Sequence, residues 1–363
     1  MNLSLAETVK LWRTAPLAWF VLAFVVLNAL LVLTGPDPGY PRFVAATHAG
    51  APAADPALEA RLASDLAGLT NVFVGFEPEE QGRAYQRALG YRGVVADLMA
   101  AKYARAVPVV VERAATERAL DPYYASDTGE VHEFLVGTLL SAVTLEAFLL
   151  AVVAGLHSHA VERHRGPAQV VFVTRAGRGL LKAKLAAVLV SVAVAHAVLA
   201  IGVLGFAGPR YGLAGVWSDS VSSGFHLIRD VVVGFRPFFT WLDLSVGSYL
   251  LLSALVALCL ALVVALLSFT VGALVPNSYL GFGMLLLGGG ALFAAPIAGG
   301  ISLFGMLAAL NPVWLWLKQP SWFTDGGLDV VVPHFEGAAT AAWLAIAGLA
   351  ALVGFRRFRE ADL

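Results

Sequence analysis

Long apolar runs without charged residues alternate with polar segments along this chain. The first run, 15–34, holds no Asp, Glu, Lys or Arg and is longer than the core of a signal peptide. A helix needs roughly 20 residues to cross the hydrocarbon core of a bilayer. Runs of about that length, one of them interrupted by a single acidic residue, predict six transmembrane helices at 15–34, 134–156, 186–206, 246–274, 279–298 and 338–355.

The fifth run continues uncharged beyond the length that one perpendicular crossing requires. A glycine pair divides it after residue 298, and Asn311-Pro312 ends it. We therefore expect a re-entrant and extracytoplasmic segment at 299–337, in which 301–310 is a short re-entrant or interfacial piece.

The segment 35–131 between the first two spans has the composition of a soluble domain. Asp55-Pro56 has the form of a helix N-cap followed by proline at the first helical position. More helix is expected over 83–115, with a break near Pro108. The pattern predicts a small helical extracytoplasmic domain, either a spacer or a lid that guides substrate. Leucines that repeat at helical spacing support it at Leu58, Leu62, Leu66 and Leu69.

Two further segments carry apolar side chains beside charged ones, a pattern typical of helices that lie in a membrane surface. The aromatic-rich stretch 224–241, within an extracytoplasmic segment 207–245, predicts an interfacial helix. At 1–14 we predict an elbow helix along the inner surface, from Leu5, Val9 and Trp12 flanked by Lys10 and Arg13.

The distribution of charge predicts the orientation, because Lys and Arg are retained on the cytoplasmic side. Basic residues outnumber acidic ones in three segments: the N-terminus, the loop 157–185 and the tail 356–363. The segments between hold, taken together, more acidic than basic residues. Both termini are therefore expected in the cytoplasm.

Composition narrows the class of protein further. Of the 363 residues, 59% are hydrophobic and only 13% charged, about half the charged share of a soluble globular chain. The near balance of 24 basic and 25 acidic residues excludes a strongly basic nucleic-acid binder. A single cysteine, Cys259, excludes an internal disulfide framework. The expected fold class is an all-α polytopic membrane protein.

Signatures of catalysis are missing from the sequence. The nearest approach to a phosphate-binding loop, at 177–182, lacks the required spacing and hydroxyl. His157, His159 and His164 do not have the i, i+4 spacing with which one helix grips zinc. The chain is therefore expected not to be an enzyme and to bind no metal or cofactor itself.

Glu146 is the one acidic residue well inside a predicted span. A carboxyl group in the bilayer core costs several kcal/mol unless it is paired or protonated, so it is a candidate functional site. Two explanations remain open: proton coupling in a secondary transporter, or a structural hydrogen bond to a neighbouring helix.

The loop 157–185 combines basic residues with an apolar stripe at 170–173 that includes Phe172. A short helix of this kind lies flat at the inner surface and docks on a soluble partner. The alternative is that the basic residues only satisfy the orientation rule, which does not require the apolar stripe.

Short motifs follow one another in a characteristic order in and after this loop. They are Glu162, Arg163, Gly166, Thr174, Arg175, Gly177, Arg178 and Lys184, followed by Asn311-Pro312 and the tail 354–358. Because these motifs occur in this order, the chain resembles the ABC-2 family of ABC-transporter permeases over about residues 3–34 and 131–363. The large segment 35–131 departs from the compact sugar and drug exporters of that family and is more similar to permeases of bacterial peptide or antibiotic-response systems.

The resemblance implies a membrane subunit that pairs with a second permease, a copy or a paralogue, in the lipid bilayer of the bacterial inner membrane. Cytoplasmic ABC ATPase subunits would bind ATP and Mg and push on a coupling helix in the loop, at the motif residues and Phe172. The expected cargo is amphipathic: lipid, peptide or a hydrophobic antibiotic. Alternatives are a non-transporting module for signalling or mechanotransmission and a proton-coupled transporter.

Overall fold

The computed structural model describes residues 3–52, 55–164 and 175–360, without side chains at 162–164, 175–179 and 358–360. Within these residues, six helices are long and apolar enough to cross a membrane. They are Leu17–Thr34, Ala125–Val161, Leu180–Tyr211, Val246–Leu274, Ser278–Gly299 and Phe335–Arg357. Each contains most or all of one predicted span, and two, Ala125–Val161 and Leu180–Tyr211, extend well beyond it because helix-forming residues continue past the uncharged run.

The helical elements are numbered in chain order. Before the loop they are α1 Leu3–Thr14, α2 Leu17–Thr34, α3 Gly39–His48, α4 Pro56–Gly68, α5 Pro78–Leu89, α6 Val94–Ala115, α7 Thr128–Glu133 and α8 Ser141–His164. After it they are α9 Arg175–Tyr211, α10 Leu213–Val216, α11 Val246–Leu274, α12 Ser278–Gly299, α13 Leu303–Ala308, α14 Pro312–Leu317 and α15 Phe335–Glu360. Single 3-10 turns lie at Glu117–Leu120, Ala125–Asp127, Gln319–Ser321 and Gly327–Asp329.

Helix α8 is the centre of the bundle. It packs against α9 and α11, and α11 packs in turn against α15. Close approach of α8 and α11 depends on small residues, since a Cβ placed on Gly155 would lie 2.7 Å from the backbone nitrogen of Phe269. Helices in a membrane gain contact area in this way. Helices α2 and α12 lie at the edge and bury little of their surface in this chain.

Helix α7 continues into α8 through a π-helical segment, Phe134–Leu140. The helix therefore runs without a break from Thr128 to His164, roughly 55 Å at 1.5 Å per residue. We call the end of the bundle that carries α1 the α1 end. The described residues of 35–124, 212–245 and 300–334 pack at the opposite end and are called the cap.

The cap contains a β-hairpin where an interfacial helix was expected. Strands β1 Leu227–Asp230 and β2 Gly234–Pro237 pair antiparallel, with Ile228 opposite Arg236. The turn uses Gly234 at φ +80°, a conformation that favours glycine. The prediction of a helix at 224–241 was wrong, because the aromatic residues at its end pack into the cap core: Phe238, Phe239 and Trp241 are buried, whereas Phe235 is exposed. The described chain is mostly helical, as predicted, with this one small sheet.

Two predictions within 35–131 have different outcomes. The N-cap is confirmed, since the Asp55 side chain accepts hydrogen bonds from the backbone of Ala57 and Leu58. The helix break near Pro108 was wrong: Pro108 lies inside α6, and the chain breaks earlier, at the glycines between α5 and α6. Gly90 and Gly93 have positive φ, which explains why the chain turns there.

Beyond α12 the chain turns back on itself. Gly299 and Gly305 are in backbone contact, and a Cβ on Gly299 would lie 2.5 Å from the Cα of Gly305. This contact allows the short helices α13 and α14 to pack against α12. A re-entrant position of 301–310 in the membrane stays a prediction.

Candidate functional site

The described residues among those predicted to contact an ATPase lie on the last turn of α8 and in the first part of α9. The second candidate span ends at Val161, but its helix α8 continues to His164. The third candidate span begins at Leu180, but its helix α9 already begins at Arg175. Glu162 and Arg163 lie on the last turn of α8, and Arg175, Gly177 and Arg178 on the first turns of α9. The remaining predicted positions, Gly166, Phe172 and Thr174, are outside the described residues.

Lys184 connects three helices at this end of the bundle. Its ammonium Nζ donates to Glu7 Oε2 of α1 at 3.2 Å and to the backbone oxygen of Ser158 of α8 at 2.8 Å. The side chain is 1% exposed. A buried ammonium in this position is stable only while both acceptors stay in place, because an unpaired buried charge is costly. Lys184 therefore joins the N-terminal part of α9 to α1 and α8.

Helix α1 has two further polar contacts with the same helices. Trp12 Nε1 donates to Ser191 Oγ of α9 at 3.0 Å, and His157 Nε2 of α8 lies 3.2 Å from Thr14 Oγ1. The gap around Lys184 is only about 10 Å³, about the space of one water molecule. Helices α1, α8 and α9 are therefore joined by these four polar contacts at this end of the bundle.

Glu146 has a partner on a different span. Its Oε2 accepts a hydrogen bond from Nδ2 of Asn28, on α2, at 2.8 Å, and both side chains are buried. The second oxygen of Glu146 has no hydrogen-bond partner within the described part of the chain. This is the interhelical hydrogen bond that was one of the two explanations for Glu146.

A second polar cluster lies inside the cap, around Asp325. Its carboxylate accepts from Arg236 Nη2 at 3.0 Å, from Tyr103 Oη at 2.7 Å and from Gln81 Nε2 at 3.3 Å. Arg236 also pairs with Asp230 at 3.3 Å. We call these five residues, together with Lys102, the cap network. It joins α5, α6, the β-hairpin and the segment that follows α14.

Lys102 completes the cap network from α6. Its ammonium donates to the backbone oxygens of Asp325, Gly327 and Val330 at 3.1, 2.7 and 2.6 Å. Burial lowers the pKa of Lys102 to about 7, and the nearby Asp325 opposes that shift. The three backbone oxygens accept from all three N–H groups of the ammonium, so this site matches the charged form of Lys102.

Neighbouring opposite charges keep Asp325 and Arg236 ionised. Burial alone would raise the pKa of Asp325, but Arg236, Lys102 and the Tyr103 hydroxyl lower it below its ordinary value. Burial alone would lower the pKa of Arg236, but Asp325 and the neighbouring tyrosines raise it. The carboxylate and guanidinium therefore stay ionised although neither contacts bulk water.

Sequence reasoning missed Asn28 and the whole cap network. Asn28 carries a usable signal, since it is the only amide in the first predicted span, and a lone amide in an apolar run needs a partner. The cap network gives no such signal, because Lys102 and Asp325 are 223 positions apart.

The sequence matches no family model, and neither the curated proteins nor the solved structures yield a match. The class of the protein therefore follows from its own geometry. Over its described residues it is a helical protein with six candidate membrane spans, a folded cap at one end of the bundle and a tightly joined three-helix contact at the other.

Proposed function

We propose that this chain is the membrane permease subunit of an ATP-driven ABC transporter of the ABC-2 type, which exports an amphipathic substrate. The motif order from Glu162 to Lys184 supports this, as do the six candidate spans. ATP and Mg are bound by separate cytoplasmic ATPase subunits, and the chain pairs with a second permease in a bacterial inner membrane. The loop 157–185 and both termini face the cytoplasm.

The contact at Lys184 is the observation that carries the proposal. A nucleotide shifts a conformational equilibrium only by its different affinity for the two states, so the part it moves must be firmly joined to the spans. Lys184, the last residue of the motif series, is buried against both Glu7 and the Ser158 carbonyl group. A push on the loop is thereby transmitted to α1, α8 and α9 together.

Charge reversal at the start of α9 tests the ATPase contact. We expect Arg175→Glu with Arg178→Glu to abolish co-purification of ATPase activity with the tagged chain from native membranes, while insertion and yield stay unchanged. A matched control is Arg92→Glu with Arg105→Glu, two exposed arginines in the cap. Unchanged co-purified ATPase activity in the first variant would contradict the proposal.

Sidedness is tested separately. In a Cys259→Ala background, a cysteine at Gln169 is expected to resist a membrane-impermeant maleimide in intact cells, and a cysteine at exposed Ser64 in the cap is expected to react. Labelling at 169 from outside would overturn the proposed orientation and with it the ATPase contact.

A second function is favoured by the continuous helix from Thr128 to His164. Because it connects the cap directly with the α1 end, it suits a non-transporting module that transmits force or a signal across the membrane. Reconstitution with the ATPase distinguishes the two: ATP-dependent movement of an amphipathic dye supports the permease, and ATP hydrolysis without movement supports the transmitter.

A further inference from the structure

A cavity of about 240 Å³ opens where α12 meets the cap. Its membrane-side wall consists of the last turn of α12, the glycine turn and α13. Its cap-side wall consists of residues at and just after the end of α5, within α14, and at 328–329. The residues that matter below are Ile297, Ile301 and Ala309 on the first wall and Tyr91, Trp314 and Asp329 on the second.

The membrane-side wall is continuous with a surface that faces outward. Ile297 and Ile301 line the cavity and are 60% and 52% exposed. Phe304, beside them, is 65% exposed. Ile297 lies on α12, Ile301 in the glycine turn and Phe304 on α13, and no other part of the described chain covers them, so these side chains are open to lipid tails. A lipid chain can therefore enter the cavity sideways from the bilayer.

The rim on the cap side is polar and of mixed charge. Asp329 lines the cavity, and Lys318 pairs with it at 3.0 Å. The Lys318 ammonium also lies 5.9 Å from the ring centre of Trp314. Trp and Tyr are the residues that settle at the level of lipid headgroups. An acidic and a basic group side by side match a zwitterionic headgroup, whereas Asp329 repels an anionic one.

The size of the cavity limits the occupant. With about 30 Å³ for each water-sized group, it holds about eight such groups. It is smaller than the roughly 300 Å³ at which pockets begin to enclose drug-sized molecules. That space suits part of one acyl chain and excludes a folded peptide segment.

We infer that this cavity binds the acyl chain of a zwitterionic phospholipid from the surrounding leaflet, with the headgroup at the Lys318–Asp329 pair. The ammonium of the headgroup faces Asp329 and the ring of Trp314, and its phosphate faces Lys318. The inference does not rest on the proposed function, because a bound lipid requires no ATPase. It gives the cap end of α12 a lipid partner.

The test uses the full chain in phosphatidylcholine nanodiscs that contain a trace of phosphatidylcholine with a diazirine in its acyl chain. After illumination, adducts mapped by mass spectrometry are expected within 296–309. Ala309→Phe fills the cavity and should abolish these adducts. Its control is Ala308→Phe, which places the same ring on the neighbouring residue outside the cavity lining. Full labelling of Ala309→Phe, or adducts spread evenly along α12, would overturn the inference.

A second measurement does not depend on the folding of the cavity-filling variant. Asp329 is half-exposed, so Asp329→Asn leaves the fold unaffected. Wild type should be labelled more strongly by the phosphatidylcholine probe than by the matching phosphatidylglycerol probe, and Asp329→Asn should reduce that preference. Equal labelling by both probes in wild type would contradict headgroup selection by the Lys318–Asp329 pair.

Discussion

Asn28 explains why a carboxyl group is tolerated inside the second span. The amide donates to Glu146 from a neighbouring helix, so the carboxyl group exchanges a contact with water for one with protein. Such interhelical hydrogen bonds between spans contribute modestly when formed, but leaving a buried group without a partner costs more. Because of this asymmetry, the hydrogen bond between Asn28 and Glu146 can be tested by removing one or both partners.

We expect Asn28→Leu to destabilise the protein by about 1–3 kcal/mol, because it leaves Glu146 buried without its donor. Glu146→Gln, which still presents an acceptor oxygen to Asn28, should cost much less. Replacing both residues with leucine should recover most of the free energy of unfolding that Asn28→Leu loses. Unfolding in detergent followed by tryptophan fluorescence measures all three. Equal losses in Asn28→Leu and Glu146→Gln would refute the structural role of the hydrogen bond.

His226 gives the cap a pH dependence. It is buried, Nδ1 lies 2.7 Å from the Val221 carbonyl oxygen, and its ring stacks on Phe238 and lies close to His132. Burial lowers the pKa of His226 to about 4. An unfolded histidine titrates near 6.5, so between about pH 6.5 and 4 the unfolded chain binds the proton and the folded chain does not. Stability therefore falls as the pH falls through that window.

The expected loss between pH 7 and pH 4 is about 3 kcal/mol from this group, at about 1.4 kcal/mol per pKa unit. His226→Asn retains a side-chain donor for the Val221 carbonyl oxygen. It should make the free energy of unfolding depend less on pH in this window, although the loss of ring packing lowers the stability itself. Thermal unfolding in detergent across the window is the measurement. An identical pH profile in wild type and His226→Asn would exclude the assignment.

At the scale of elements, the apolar runs predicted most of the spans, since burial in a membrane leaves a strong pattern of uncharged residues. The β-hairpin was missed because 224–241 has the composition of an interfacial helix. Its turn has valines where the common Asn-Gly or Asp-Gly signal of a hairpin would be. Arg236 faces a carboxylate from a distant segment, and local periodicity cannot reveal such a contact.

The junction of α1 with α8 and α9 provides a prediction at the same scale. Lys184→Met keeps the alkyl chain but removes the ammonium that joins α1 to α8, so α1 should separate more often from the bundle. In a Cys259→Ala background, a cysteine at buried Leu11 is then expected to react with a small maleimide several-fold faster.

The matched control is Lys182→Met, two residues earlier on α9, where the side chain is exposed. Its Leu11 cysteine should react at the wild-type rate. The same rate in both methionine variants would show that Lys184 does not hold α1 in place.

At the scale of the whole molecule, the cap network joins parts of the chain that are distant in sequence. Asp325 contacts side chains from α5, α6 and the β-hairpin, so these elements form one packed body with the segment after α14 and are not independent loops. Breaking a buried ion pair by removing one partner typically costs about 3–5 kcal/mol.

Asp325→Asn should therefore loosen the cap while the bundle remains folded. Hydrogen exchange is expected to increase in 81–103 and 227–237 and to stay unchanged in α8. Asp329→Asn, four residues further on and half-exposed, is the control and should leave exchange in these cap segments unaltered. Unchanged exchange in Asp325→Asn would show that the ion pairs do not hold the cap together.

The π-helical segment Phe134–Leu140 determines which way α7 faces relative to α8. Each residue turns a helix by about 100° about its axis, so one residue more or less changes the direction of every side chain beyond it. A version of this chain shortened by one residue within this segment would turn α7 by more than a quarter of a revolution relative to α8. The ring contact between His132 on α7 and His226 in the cap thus depends on the length of one seven-residue stretch.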